Sequence, residues 1–182
     1  MAWTVPLTAV DGSTLSADQF NTSIRDNLNE TLPAKATAAG SLFVTTGVGA
    51  LAERKPASAY VAIGEETSSA TFTDLSTVGP RVTVATGTSA LVWITAALRN
   101  NAAAGRGAFA SVAVSGATTL PATNARQIGT NGIEVSNPER VTGCSLITGL
   151  TPGNNTFTMQ YRCEPTFGPM QAELREIVVI PL

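Results

Sequence analysis

The side chains that could do acid–base or metal chemistry in this chain are few and scattered. Its 182 residues include no histidine, the side chain used most often as a general base and as a metal ligand. Glu65 and Glu66 are adjacent on a predicted strand, where neighbours point to opposite faces, so we expect a solvated strand end instead of a catalytic pair. Glu134 and Glu139 flank a polar loop but lack the dense acidic spacing of a calcium loop. The sequence therefore predicts no catalytic residue, metal site or cofactor, and we expect a protein that is not an enzyme.

The two cysteines, Cys144 and Cys163, offer redox chemistry at most. Cys144 shares its strand phase with Leu146, and Cys163 shares its phase with Phe157, Met159 and Tyr161, so both are predicted to point into a core. Two buried thiols and a disulfide between neighbouring strands both remain open. Two thiols alone do not make a zinc site.

Composition excludes several classes of partner. Charged residues make up only 13% of the chain, its formal net charge is −2, and its eleven basic residues are dispersed, so no surface for nucleic acid is expected. The N-terminus shows no signal-peptide pattern, and the longest apolar run, 90–98, is about half the length that spans a bilayer. We expect a soluble protein, made in a cytoplasm and without membrane insertion.

One helix is strongly specified near the N-terminus. Ser16 is a suitable N-cap, Gln19 completes a capping box, and Leu15 with Phe20 forms a hydrophobic staple. An apolar row then recurs every four residues until Pro33 ends the helix, and it consists of Phe20, Ile24, Leu28 and Leu32.

This apolar row is narrow, like the seam of a coiled coil, and so short a helix is marginal alone. Packing against its own β domain is one reading; self-association about a symmetry axis or docking onto a larger assembly is the one we favour. Trp3, in the extended arm before the helix, is expected to contact the helix or another subunit. The predicted oligomerisation and anchoring residues are Trp3, Leu15, Phe20, Ile24, Leu28 and Leu32.

After the helix the chain has a β pattern throughout. We predict three parts: an arm and helix (1–33), a short β connector (34–59) and a display domain (60–182). Within the last part, seven to nine short strands separated by turn residues favour a jelly-roll-like β-sandwich. The predicted strands are 60–65, 81–86, 90–99, 107–115, 140–146, 156–163 and 174–180, with shorter pieces near 70–72 and 126–134.

Strand 90–98 is apolar on both faces, which is typical of a central strand or of one whose outer face meets another subunit. Trp93 in this strand is predicted to lie in the core. If any surface binds a sugar, the polar loops 100–106 and 121–126 are the candidates.

Three parts of the chain resemble one group of proteins. Residues 15–31 (LSADQFNTSIRDNLNET) and 33–44 (PAKATAAGSLFV) look like the opening of tail and virion-surface proteins of phages that infect actinobacteria. In that group the helix start usually has a tryptophan where this chain has Phe20. Residues 154–162 (NNTFTMQYR) and 175–182 (REIVVIPL) are similar to the final strands of these proteins, and 74–84 (DLSTVGPRVTV) also resembles them.

The resemblance implies a trimeric or otherwise symmetric virion component, anchored by its N-terminus and displaying a C-terminal β domain. Expected partners are further copies of the chain in a homotrimer, other virion proteins and a host cell-surface glycan. A tail-associated fibre or minor tail protein is the first expectation, and a capsid decoration protein or head fibre of the same architecture is the alternative. An enzyme such as a glycan depolymerase is disfavoured by the missing histidines and the lack of clustered carboxylates.

Overall fold

The computed structural model describes residues 4–8, 10–31, 35–102, 106–131, 137–165 and 168–182. It divides into two compact units, Met1–Lys55 and Pro56–Leu182. The predicted connector, 34–59, is therefore shared: its residues up to 55 group with the helix, and its last four group with the sandwich.

The first unit contains the helix and a β-hairpin. The helix has an α-helical turn (Ala17–Phe20), a π-helical segment (Asn21–Arg25) and a second α-helical turn (Asp26–Asn29). Strands β1 (Leu42–Gly47) and β2 (Ala50–Arg54) pair antiparallel.

Glu53 on β2 ties the segment before the hairpin to it. Its carboxylate accepts hydrogen bonds from the backbone N–H groups of Thr37, at 3.1 Å, and Ala38, at 3.0 Å. The side-chain hydroxyl of Thr37 donates to the same carboxylate, and these bonds, that hydroxyl's foremost, hold the pKa of Glu53 below its ordinary value.

Within its described residues, the second unit has nine strands in two antiparallel sheets. They are β3 (Ala57–Val61), β4 (Glu65–Thr67), β5 (Arg81–Thr86), β6 (Ser89–Asn100), β7 (Ala108–Gly116), β8 (Ile128–Thr130), β9 (Glu139–Thr148), β10 (Gly153–Cys163) and β11 (Met170–Pro181). Sheet I has the order β3-β11-β6-β9, with β4 also paired to β11, and sheet II has the order β5-β10-β7-β8. A single turn of 3₁₀-helix, Asn124–Arg126, precedes β8.

The strand order is that of a jelly roll. If β3 and β4 are taken as one interrupted strand, the eight strands give the sheet orders 1-8-3-6 and 2-7-4-5, so that the first strand pairs with the last and the second with the seventh. The predicted fold class, a mainly β chain with a jelly-roll-like β-sandwich after one N-terminal helix, is confirmed.

The core lies between the inner faces of the two sheets, and alternation along the strands supplies it. On β10 the side chains of Phe157, Met159 and Tyr161 are fully buried, as the sequence predicts, and on β11 those of Ile177 and Val179 are as well. Burial of this many large apolar side chains is the main source of the unit's stability.

Two predicted strands are not observed as single strands, and most of the others differ from the prediction at their ends. The strand predicted at 60–65 is instead two strands, β3 and β4, because residues 62–64 leave the ladder and β11 pairs with each piece separately. Residues 70–72 form no strand; the nearest pairing is an isolated bridge between Thr73 and Tyr161. Of the piece predicted near 126–134, residues 128–130 form β8, and 132–136 lie outside the described residues.

The predicted core position is correct for Cys163, which is buried, and wrong for Cys144, which is exposed. The residues of β9 that face the core are those that alternate with Cys144, and they include Gly143 and Ile147. Gly143 must face inward because a Cβ atom there would lie 2.5 Å from Cγ2 of Ile128. Both cysteines are free thiols in this structure, and burial raises the pKa of the Cys163 thiol.

Candidate assembly and binding surfaces

The helix begins with the predicted capping box. The backbone N–H of Gln19 donates to Oγ of Ser16 at 3.1 Å, and the N–H of Ser16 donates to Oε1 of Gln19 at 3.0 Å. Asp18 in the first turn lies at the positive end of the helix dipole. The helix start is thus fixed by local side chains alone.

The predicted apolar row is uncovered in this structure. Exposed fractions are 48% for Phe20, 42% for Ile24 and 60% for Leu28, and Leu15 before the helix is 47% exposed. Leu32, the fourth member of the row, and Trp3 lie outside the described residues. Single exposed apolar residues are common on proteins, whereas a contiguous row on one helix marks a contact surface. The predicted contact of this row with another molecule stays a prediction.

The helix residue that is buried, Asn27, is polar, and the spacing of residues in the sequence does not predict its burial. Asn27 is 4% exposed and fixes the arm: its Oδ1 accepts the backbone N–H of Thr4 at 2.9 Å, and its Nδ2 donates to the carbonyl of Thr4 at 3.0 Å. Nδ2 also donates to the carbonyl of Ser23 at 3.0 Å. An asparagine within a helix that bonds an extended segment in this two-way manner has no sequence signature beyond its residue type.

Arm and helix together enclose a groove with a volume of about 520 Å³. Its lining includes five apolar side chains and several hydroxyls, and the apolar ones are Pro6, Leu7, Val10, Leu15 and Ile24. Two of the predicted anchoring residues thus lie in one concave, mainly apolar surface. Such a surface suits an apolar segment of another chain.

In the second unit, the two adjacent glutamates have separate roles. Glu66 is exposed, as expected, but Glu65 forms a 2.7 Å ion pair with the fully buried Arg175, so its assignment to a solvated strand end is wrong. Burial raises the pKa of Glu65, but hydrogen bonds from Thr77 and Arg175 outweigh it, so that pKa lies below its ordinary value. The pair is structural, because it joins the fully buried Arg175 to the short strand β4 at the margin of sheet I.

A bulge explains why the sequence misses this pair. The register of β11 against β6 shifts between Glu173 and Glu176, and Leu174 has a φ of 49°. Without the extra residue, Arg175 would point outward in phase with Glu173. Beyond Glu65, the guanidinium donates to carbonyls that include that of Gly79, at 3.2 Å.

The outer face of sheet II is polar and holds a shallow cleft with a volume of about 400 Å³. One of the two loops predicted to bind sugar lines it through Pro121, Ala122 and Asn124; the other loop, 100–106, is not among the lining residues, and its residues 103–105 lie outside the described ones. The remaining lining comes from Ala70, Thr71, Phe72, Gln160 and Arg162.

Arg162 is the centre of this cleft. Its guanidinium carbon lies 4.1 Å from the ring centroid of Phe109 and 5.2 Å from that of Phe72, and Nη2 donates to Oε1 of Gln127 at 2.9 Å. Gln160, two residues earlier on β10, donates to Oδ1 of Asp74 at 3.1 Å. The cleft therefore offers amide and guanidinium donors beside an aromatic ring.

Other kinds of site are absent from the described residues. Within the ranges given above, no group of three or more acidic or cysteine side chains is placed to hold a metal ion. In the same ranges, no helix is both long enough and apolar enough to span a membrane.

Comparisons with known proteins show similarity in fold only. No family model matches the chain, and no curated protein matches it. Among solved structures, Eiger TNF from S. frugiperda is 11% identical with a TM-score of 0.47, over 71% of this chain and 92% of that one. The infectious bursal disease virus VP2 subviral particle is 13% identical with a TM-score of 0.47, over 76% of this chain and 36% of that one. The Gt strain of the same virus gives 10% identity and a TM-score of 0.36, over 76% and 35%.

This chain therefore spans about a third of the length of the two viral chains. At these identities and scores the similarity supports no conclusion about activity, partners or location. The chain is a jelly-roll β-sandwich preceded by a unit with one capped amphipathic helix.

Proposed function

We propose that this protein is a structural component of a virion, most simply a tail-associated fibre or minor tail protein. Its N-terminal unit anchors it and brings copies together, and its sandwich is displayed outward. The observation on which this proposal depends is the uncovered apolar row Phe20, Ile24 and Leu28 on a helix whose start is locally fixed. The resemblance of both ends of the chain to virion proteins of actinobacterial phages supports the same function.

The physical argument concerns the cost of exposing this row. A thirteen-residue helix is marginal in water by itself, because its nucleation costs more than its few hydrogen bonds return. Its fully buried contact in the described residues is the polar one with the arm, and the described members of the apolar row remain 42–60% exposed, so burial of that row by another surface adds stability. A threefold contact between copies, or a site on a larger particle, supplies such a surface.

The test is incorporation into particles by the full chain with the double substitution Phe20→Glu and Ile24→Glu. Both side chains are exposed, so the fold should persist while the contact is lost. Thr22→Glu, at an exposed position between them on the same helix, is the matched control. We expect the double variant to be absent from purified particles and the control to be present. Normal incorporation of the double variant would overturn the anchoring role.

Location and copy number are tested separately. Light scattering of the purified chain should give a multiple of three copies for a fibre-like trimer, and a stable monomer would count against it. Immunogold labelling of particles should mark the tail. Labelling of the capsid instead would favour the alternative, a decoration protein or head fibre.

The displayed sandwich is proposed to contact a host cell-surface glycan through the cleft on sheet II. Sugar hydroxyls pair with amide and guanidinium donors, and the apolar face of a sugar ring packs on an aromatic side chain. We expect Gln160→Ala to weaken binding of purified host cell-wall polysaccharide, measured by calorimetry. Thr158→Ala, on the same strand and face, should not change it. Equal binding by both variants would exclude this cleft.

We also propose that the protein does not turn the polysaccharide over. Release of reducing sugar from host cell wall by the purified chain would contradict this.

A further inference from the structure

The outer faces of the two sheets differ in character. On sheet II the outward positions of β5 and β10 are mostly polar: Arg81, Thr83, Asn154, Thr156, Thr158, Gln160 and Arg162. On sheet I one half of the outer face is apolar, and its members are Leu91, Trp93, Cys144, Leu146, Val178 and Ile180. We call this set the sheet I patch.

The sheet I patch is contiguous across three strands. Val178 on β11 pairs with Trp93 on β6, and Trp93 pairs with Cys144 on β9. One step along the strands, Ile180, Leu91 and Leu146 form a second row in the same way. Leu146 is 57% exposed, and directly opposite residues on one face lie about 5 Å apart. Trp93 therefore lies on this outer face, half-buried among its neighbours, and its predicted place in the core is wrong.

The other half of the same face is charged, with the two signs on different strands. Glu173 and Glu176 lie on β11, whereas Arg99 lies on β6 and Arg140 on β9. The nearest atoms are 3.6 Å apart between Arg99 and Glu173, and 3.7 Å apart between Arg140 and Glu176. The acidic and basic strands thus lie on opposite sides of the midline between β11 and β6.

This arrangement is self-complementary. A twofold axis parallel to the strands, above that midline, places β11 of one copy opposite β6 of the other. A rotation about this axis does not shift either copy along the strands, so the apolar half of one copy faces the apolar half of the other. It also places the acidic side chains of β11 opposite Arg99 of the second copy, so the charges attract.

The face is large enough for a stable contact. Strands β6 and β11 have twelve residues each. Strands β3, β4 and β9 add five, three and ten residues. At about 3.3 Å per residue and about 4.8 Å between strands, the strands of sheet I together cover about 670 Å². A standard interface buries about 800 Å² on each partner.

We propose that two copies of this chain pair face to face through the outer surface of sheet I, with the sheet I patch as the buried centre. The aromatic and aliphatic side chains supply the apolar core of the contact, and the Arg–Glu half sets the register. The contact involves no residue of the N-terminal helix, so it can be tested separately from the proposed anchoring.

The experiment uses the full chain with Ile24→Glu, which removes the helix contact. We expect sedimentation to give two copies in this background. Adding Leu146→Lys, which places a charge in the patch at an exposed position, should give one copy. Adding Thr83→Lys, an exposed outward position on the edge strand of sheet II, should leave two. A single copy in the Ile24→Glu background at all concentrations would overturn the proposal.

Cys144 reports on the same surface, because it lies in the patch while Cys163 is buried. With a thiol reagent under native conditions, the dimer should react slowly, and the Leu146→Lys variant should expose one fast thiol per chain. Dilution of the dimer should raise the fast fraction. If Cys144 reacted slowly in a chain shown to be a single copy, the chain's own N-terminal unit would be covering the patch. This result too would overturn the proposal.

The charged half is tested by reversal and rescue. Arg99→Glu alone should weaken the dimer at least about tenfold, and Arg99→Glu with Glu173→Arg should restore most of the loss. Equal weakening by the single and double variants would show that charge pairing does not set the register.

Discussion

Replacing Glu65 by glutamine should destabilise the sandwich far more than the same change at Glu66. The Arg175 side chain is fully buried and its strongest partner is the Glu65 carboxylate, at 2.7 Å. The amide of the new glutamine could still accept one hydrogen bond but would leave a buried cation without a counter-charge. In the described residues, Nε of Arg175 has no hydrogen-bond partner to compensate.

The expected magnitude follows from this geometry. Removing one partner of a buried pair costs about 3–5 kcal/mol. The Glu65 side chain is 13% exposed, and the carbonyls of Thr77 and Gly79 still accept from Arg175, at 3.4 and 3.2 Å. These contacts place Glu65→Gln at the lower end, about 3 kcal/mol.

A second variant separates charge from packing. Arg175→Met removes the buried cation and keeps an unbranched side chain, and Glu65 can then turn toward water, so we expect a loss of about 2 kcal/mol. The double variant, Glu65→Gln with Arg175→Met, should cost less than the sum of the two by at least about 1 kcal/mol, since residues in direct contact are not additive.

Urea unfolding followed by circular dichroism measures these differences as changes in midpoint at constant slope. Glu66→Gln, an exposed neighbour on the same strand, should change the free energy of unfolding by no more than about 0.5 kcal/mol. If Glu65→Gln and Glu66→Gln shifted the midpoint equally, or if the double variant were strictly additive, Arg175 would not depend on Glu65 and the assignment of the pair would be refuted.

Three further predictions concern the same structure. Because the pKa of Glu65 is held below its ordinary value of 4.5, its contribution to stability is complete above that value and disappears as the pH falls through the lower folded pKa; the urea midpoint of the wild type should therefore drop more between about pH 6 and pH 3 than that of Glu65→Gln. Tyr161→Phe removes a buried hydroxyl that donates to the carbonyl of Gly79 at 3.1 Å, and it should lower the free energy of unfolding by about 1–1.5 kcal/mol in the same assay; no change would mean that this bond contributes nothing. Asn27→Ala should release the arm, so that the backbone amide of Thr4 exchanges at least about tenfold faster by NMR while the urea midpoint of the sandwich stays unchanged; an unaltered exchange rate would contradict the Asn27 contact.

Local sequence was sufficient wherever a structure depends on near neighbours. The capping box at Ser16 and Gln19 is present as predicted, because its two hydrogen bonds join residues three apart. Strand β5 begins and ends at the predicted residues. The alternation of β10 predicts its buried side chains correctly, because one of its faces is apolar and the other polar.

The predicted anchoring surface is only partly described. Leu15, Phe20, Ile24 and Leu28 are exposed, while Leu32 and Trp3 lie outside the described residues. The buried contact of Asn27 with the arm joins residues 23 positions apart, and nothing in the spacing of the helix announces it.

What the sequence alone determined is a capped helix with an apolar row, followed by a jelly-roll-like sandwich. Tertiary structure alone decided the phase of β9 and the direction of Arg175. Strand β9 has apolar residues in both phases, so the close approach of Ile128 to Gly143, and not its own pattern, selects the inner face. Arg175 points inward only because a bulge in β11 shifts the alternation by one residue. In both places the local pattern does not select one orientation, and partners distant in sequence do.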